Sequence, residues 1–226
     1  MDFVGFMRFT LCLLRNSTQR KHVFRWLESL KKDYFLTKKQ PWLVFDAIDF
    51  LNSSPLDNKR VFEYGSGGST LYWLSRNMLP VSVEHDPSWF ELLRIHLDTS
   101  KVDYRLVQPQ KPVAKVILDI ADPLLYLSDD TRFKGYNFKS YASQIDVFPD
   151  GYFDVVLVDG RARPACIMHS APKVKVNGLL ILDNADRLYY TQKIDSFLHN
   201  YSCLPYYGIG PANYQMWGTN IYVRQK

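Results

Sequence analysis

Two carboxylates flanking a glycine-rich turn carry the most specific chemistry in this sequence. Val61-Phe62-Glu63-Tyr64 enters Gly65-Ser66-Gly67-Gly68-Ser69-Thr70, and some twenty residues later a second apolar run, Val81-Ser82-Val83, ends in Glu84, His85 and Asp86. The turn opens a helix-like run, Leu71-Tyr72-Trp73-Leu74. Strand, Gly-rich turn, helix and acid, in that order, are how a βαβ unit binds a nucleotide cofactor, the acid accepting hydrogen bonds from ribose hydroxyls. Gly65, Gly67 and Gly68 allow positive φ and close ligand approach, and Ser69 and Thr70 are placed to cap the helix. The turn lacks the final Gly of G-x-G-x-x-G, and Glu63 ahead of it suits a cationic ligand and would repel a pyrophosphate.

Glu-x-Gly-x-Gly-x-Ser followed by a strand ending in Glu resembles the class I S-adenosylmethionine-dependent methyltransferases, over most of residues 41–226. The resemblance implies an α/β fold, a Rossmann-like doubly wound seven-strand sheet, mostly parallel with a C-terminal antiparallel hairpin. It also implies S-adenosylmethionine as cofactor, bound by Glu63, Tyr64, Gly65, Ser66, Gly67, Ser69, Glu84, His85 and Asp159. Glu84 would take the ribose, and Glu63 would lie near the amino-acid end, held through backbone or water.

A second constellation pairs Val155-Val156-Leu157-Val158-Asp159 with Leu179-Leu180-Ile181-Leu182-Asp183-Asn184. Adjacent parallel strands would gather Asp159, Asp183 and Asn184 at one sheet edge, an oxygen set that suits Mg²⁺. The set resembles that of metal-dependent, catechol-type O-methyltransferases, in which the metal draws in two substrate oxygens. Those enzymes place a Lys base three residues after the first Asp, where this chain has Ala162. The competing reading gives Asp159 to the cofactor and Asp183-Asn184 to a cap. Arg161, Arg163 and Arg187 could fork onto an acidic acceptor or neutralise the neighbouring carboxylates. The catalytic candidates are therefore Asp159, Arg161, Asp183 and Asn184, with His169 a further conceivable base. Amine-methylating members of the superfamily resemble one another in an Asn/Asp-Pro-Pro-Tyr/Phe run after the fourth strand. Here that strand ends Asp159-Gly160-Arg161, so oxygen is the expected acceptor.

The elements that must position these groups alternate as a parallel sheet demands: strands at 61–64, 80–84, 103–107, 153–158 and 179–182, and helices at 69–77, 87–97, 164–174 and 189–199. A helix over 42–51 leads in, and two β-like runs at 203–209 and 217–224 close the chain as a hairpin. Residues 108–150, which include Val116-Ile117-Leu118-Asp119-Ile120 and a Tyr/Phe-rich segment, read as a lid or specificity insertion. Residues 1–40 carry a net charge of +6 against −1 for the remainder, and are rich in Phe, Leu and Trp. They read as a basic amphipathic helical extension, separable from the chemistry: a cap or homodimer face, a peripheral membrane contact, or, less favoured, a nucleic-acid contact. Cys12, Cys166 and Cys203 have no metal-ligand spacing and suit a reducing cytoplasm. No run is long and apolar enough to span a bilayer. The expected activity is methyl transfer to an oxygen of a small-molecule or saccharide acceptor, acidic if the arginines face it. The alternatives are an aminopropyltransferase-like enzyme and a non-catalytic binding or scaffold protein on the same fold.

Overall fold

The computed structural model describes residues 3–111 and 119–226; Val116 to Leu118 of the insertion lie outside the described residues. Seven strands form one sheet: β1 (Arg60–Tyr64), β2 (Leu79–Glu84), β3 (Asp103–Leu106), β4 (Phe153–Val158), β5 (Val174–Asp183), β6 (Tyr201–Gly208) and β7 (Trp217–Arg224). Their order is β3-β2-β1-β4-β5-β7-β6. The first five pair in parallel, and β7 runs antiparallel to both β5 and β6. This is the doubly wound sheet with a terminal hairpin expected from the sequence. Strand order reverses between β1 and β4, the switch point at whose carboxyl edge open α/β sheets bind ligands.

The helices are α1 (Phe3–Arg15), α2 (Val23–Ser29), α3 (Tyr34–Lys38), α4 (Phe45–Ser53), α5 (Gly68–Ser75), α6 (Pro87–Arg94), α7 (Lys139–Ala142), α8 (Arg163–Ser170) and α9 (Leu188–Thr191). The eleven-residue helix expected over 189–199 is only α9 and a 3-10 turn at Asp195–Phe197. Asp195 and Ser196 are weak helix formers, and the Thr191 hydroxyl bonds back to the Leu188 carbonyl at 3.3 Å.

Period-two alternation splits the core between the two faces of the sheet. Phe62, Tyr64, Val81, Val83, Val156, Val158, Leu180 and Leu182 face one layer, built from α8 and the aromatic insertion with Phe138, Tyr141 and Ile145. Val61, Val155, Leu157, Leu179 and Ile181 face the other, built from α4 and α5. The N-terminal helices belong to this second layer. Leu13 and Trp26 are fully buried there, the Trp26 indole donates to the Asn213 carbonyl at 2.7 Å, and Gln19 Oε1 accepts from the Ile209 amide at 2.9 Å. An apolar stripe on α1, Val4, Met7, Leu11 and Leu14, stays exposed. Among the described residues no helix is long and apolar enough to cross a membrane.

Candidate functional site

The glycine turn is held from below by the acid that precedes it. In β1 the alternation turns Glu63 toward α5 with Val61, and Tyr64 to the opposite face. Glu63 is fully buried, accepting from the Thr70 hydroxyl at 2.5 Å and the Trp73 indole at 3.2 Å. The same hydroxyl accepts from the Gly67 amide at 3.1 Å, so carboxylate, Thr70 and turn form one chain of bonds. Burial pushes the Glu63 carboxyl up to about 7, against the hydrogen bonds that favour its charged form. Tyr64 is likewise buried, donating to the Ala142 carbonyl at 2.6 Å. Neither Glu63 nor Tyr64 is in the cavity wall described below; both support it from beneath.

Gly65 adopts φ +90°, and a Cβ there would come within 3.0 Å of Asp159 and Gly160 backbone atoms, so the β1 and β4 loops touch only because this residue is glycine. Glu84 closes β2 beside that turn. Its Oε2 accepts from the Ser66 amide at 3.1 Å and the Ser66 hydroxyl at 2.9 Å; its Oε1 accepts from the His85 and Asp86 amides at 2.7 and 2.9 Å. The His85 ring Nδ1 lies 2.8 Å from the same Oε1. Burial alone would raise the Glu84 carboxyl, but His85 and these backbone donors hold it below its ordinary value, so it is a fixed carboxylate. His85 Nε2 is buried with no hydrogen-bond partner, its ring enclosed by Phe133, Phe138 and Tyr141 of the insertion.

Gly65, Ser66, Gly67, Ser69, Glu84, His85 and Asp159 line a common cavity of about 550 Å³, within the size range of small-molecule sites. Arg161 lines it too. Much of the remaining wall was not foreseen from the sequence, notably Trp89 on α6, Arg132 in the insertion, and Asp33, Phe35, Leu36 and Trp42 from the N-terminal region. Phe35 and Trp42 stack with ring centres 4.7 Å apart. Gly68 lets them in, since a Cβ there would lie 2.2 Å from the Gln40 carbonyl oxygen. Asp33, Phe35 and Leu36, in the segment expected to be separable from the chemistry, thus line this cavity.

Asp183 and Asn184 are not in this wall. Asp183 Oδ1 accepts from the Trp217 indole at 2.9 Å and the Thr219 hydroxyl at 2.7 Å. Asn184 turns the chain with φ +52°, its carbonyl accepting from the Arg187 amide. Between Asp159 and Asp183 lies Arg163, almost completely buried: Nη2 is 3.1 Å from Asp159 Oδ1 and Nη1 is 3.9 Å from Asp183 Oδ2. The Asp159, Asp183, Asn184 set does not fit Mg²⁺: Oδ1 of each carboxylate already accepts from Arg163 or from Trp217 and Thr219, and the Arg163 guanidinium occupies the space between the two acids. Burial first, and the nearby Asp183 carboxylate second, push Asp159 upward against the two arginines. Arg187 pairs with Asp129 at 2.9 Å, and His169 sits between Asp146 and Tyr126, outside the cavity wall. Arg161 bonds Asp130 at 3.0 Å while its Nε is buried without a partner.

No protein-family model and no curated protein sequence matches this chain. Solved structures do. An O-methyltransferase from Bacillus cereus, in complex with S-adenosylhomocysteine, is similar at 14% identity and a TM-score of 0.53, covering 89% of this chain and 96% of its own. The O-methyltransferase TomG from Streptomyces achromogenes, involved in tomaymycin synthesis and in complex with S-adenosylmethionine, is similar at 16% identity and a TM-score of 0.51, covering 92% and 96%. A spermidine synthase bound to a transition-state analogue reaches a TM-score of 0.50 at 14% identity, with only 54% of its length covered. At such identities the likeness is one of architecture, and fold is shared across different chemistries. The architecture is the class I fold of the S-adenosylmethionine-dependent O-methyltransferases.

Proposed function

We propose that this protein transfers the methyl group of S-adenosylmethionine to an oxygen of a small-molecule or saccharide acceptor, in the reducing cytoplasm. The observation that carries the reading is Glu84, a buried carboxylate held ionised at the wall of the cavity beside the Gly65 turn. Ser66 Oγ bonds both Glu84 Oε2 and the Tyr104 hydroxyl, at 2.9 and 2.8 Å. It can release Glu84 to a ribose hydroxyl and keep its Tyr104 partner.

The cofactor's sulfonium is already the electrophile, so the residues of the cavity supply alignment and exclusion of water. Asp159 faces the cavity with Oδ1 tied to Arg163 and with Oδ2 without a partner among the described residues. In the proposed step the acceptor oxygen bonds the methyl carbon, the carbon–sulfur bond breaks to leave a neutral thioether, and the acceptor's proton passes to Asp159 Oδ2. Arg161 and Arg132 in the wall share the single carboxylate of Asp130, at 3.0 and 2.7 Å, and the positive charge left over favours an acceptor with an acidic group.

Isothermal titration calorimetry with S-adenosylmethionine and S-adenosylhomocysteine tests the cofactor assignment. Saturable binding of both is expected. No binding of either would refute it, and preference for the decarboxylated cofactor would move the reading to aminopropyl transfer. Release of S-adenosylhomocysteine in the presence of hydroxy-acid and uronic-acid acceptors tests the acceptor class.

A further inference from the structure

We propose that the guanidinium of Arg163 is the resident cation of the sheet edge, filling the oxygen cage between β4 and β5 that a divalent metal would need, so that methyl transfer here proceeds without one. The inference rests on the methyl-transfer reading for its consequence, but its structural content stands alone. Around Arg163 are five oxygens: Asp159 Oδ1, Asp183 Oδ2 and the carbonyls of Asp159, Gly160 and Asp183. Nε donates to the Gly160 carbonyl at 3.1 Å, Nη2 to the Asp159 carbonyl at 3.3 Å, and Nη1 to the Asp183 carbonyl. Nη2 also reaches Asp159 Oδ1 at 3.1 Å, and the plane lies 5.0 Å from the Tyr190 ring centre.

Backbone carbonyls and carboxylates at a strand edge are the ligands hard cations take. Here a planar, permanently charged side chain hydrogen-bonds four of them with donors in fixed directions and faces the fifth, Asp183 Oδ2, at 3.9 Å as an ion pair. A second cation would have to displace a buried arginine and the four hydrogen bonds it donates. Arg163 does not line the cavity, so its part is positioning: it fixes the rotamer of Asp159 and leaves Oδ2 toward the ligand.

Three measurements test this on the full chain without cofactor. Electron paramagnetic resonance of Mn²⁺ with protein in excess should keep the full free-ion signal. One tightly bound Mn²⁺ per chain, abolished by Asp183→Asn, would overturn the proposal. Arg163→Met leaves the buried Asp183 and the partly exposed Asp159 without their cation, and its melting temperature should fall by about 10 °C, as expected for a broken buried pair. Adding Asp183→Asn to Arg163→Met should then restore much of that loss, because one of the orphaned charges is gone; a further fall would overturn the proposal. Should Arg163→Met fail to fold, Arg163→Lys keeps the charge and should melt above Arg163→Met/Asp183→Asn in soluble yield and temperature only if charge is what the cage requires; the reverse order refutes it. None of these readouts involves the cofactor, so failure here and failure of the methyl-transfer reading are separately visible.

Discussion

Replacing Glu84 by Gln keeps the volume of the side chain and changes only what its two ends can accept. The carboxylate takes two backbone donors on Oε1, from His85 and Asp86, and the Ser66 amide and hydroxyl on Oε2. The amide can keep one set, and the pair from His85 and Asp86 is the shorter. Its NH₂ then faces the Ser66 amide, donor against donor, and that partly buried N–H loses its partner at a cost of at most about 1–3 kcal/mol. For a chain of this size that is a fall of about 2–12 °C in melting temperature. Cofactor binding should suffer separately, because the same end would have accepted the ribose hydroxyl. Losing a charge-assisted bond of about 1.5–3 kcal/mol lowers affinity about 10- to 150-fold. The pH dependence follows from the depressed carboxyl of Glu84. Its contribution is present above the ordinary glutamate value and lost as pH falls through the lower folded value, so Glu84→Gln should flatten the acid limb of stability. Calorimetric titration with S-adenosylhomocysteine and thermal melts from pH 3 to 8 measure both. An affinity equal to that of the parent protein would show that Glu84 does not meet the ribose, whatever happens to the melting temperature.

Gly68→Ala should destabilise the protein despite the better helix propensity of Ala, worth about 1 kcal/mol, because a Cβ 2.2 Å from the Gln40 carbonyl forces backbone apart and overpacking costs about 1–3 kcal/mol; an unchanged melting temperature together with unchanged cofactor affinity would refute the packing of the N-terminal segment on the turn. Glu63, raised to about 7 by burial, binds its proton more tightly folded than unfolded. Its contribution is therefore full below the ordinary glutamate value and fades as pH rises through about 7, by up to ~3 kcal/mol. Glu63→Gln should remove that slope, and melts of the variant that still weaken between pH 4.5 and 7 by the parent's amount would contradict the assignment. Deleting residues 1–30 removes Leu13 and Trp26 from the core and exposes Phe45, Ile48 and Leu51, so the truncated chain should aggregate or melt far lower; a soluble truncation with the parent's melting temperature would restore the view of a separable arm.

The architecture was legible because a parallel sheet writes itself in alternating apolar runs and turns, and the place of Glu84 at the end of β2 beside the glycine turn was legible for the same reason. Glu63 sits one residue nearer the strand interior than a ligand contact requires, and alternation aims it at α5, where Thr70 and Trp73 wait seven and ten residues on. Asp183 could not be read locally, since the groups that claim its carboxylate, Trp217 and Thr219, come from a strand more than thirty residues later that pairs antiparallel. For Arg163 the sequence offered two fates, substrate or neutralisation, and only burial between Asp159 and Asp183 chooses the second.

The N-terminal wall of the cavity is the clearest case of a signal present and misread. All three glycines of the turn were assigned to the ligand. Gly65 alone has a left-handed backbone; Gly67 and Gly68 do not, so conformational freedom does not explain Gly68. What Gly68 supplies is the missing Cβ, and the atom that uses the space is the carbonyl oxygen of Gln40. A glycine in excess of what a turn's backbone needs is a request for close approach, and the approaching group need not be the ligand. Here it is the protein's own chain, which brings Phe35 and Trp42 to the cavity and makes part of the first forty residues a wall of it.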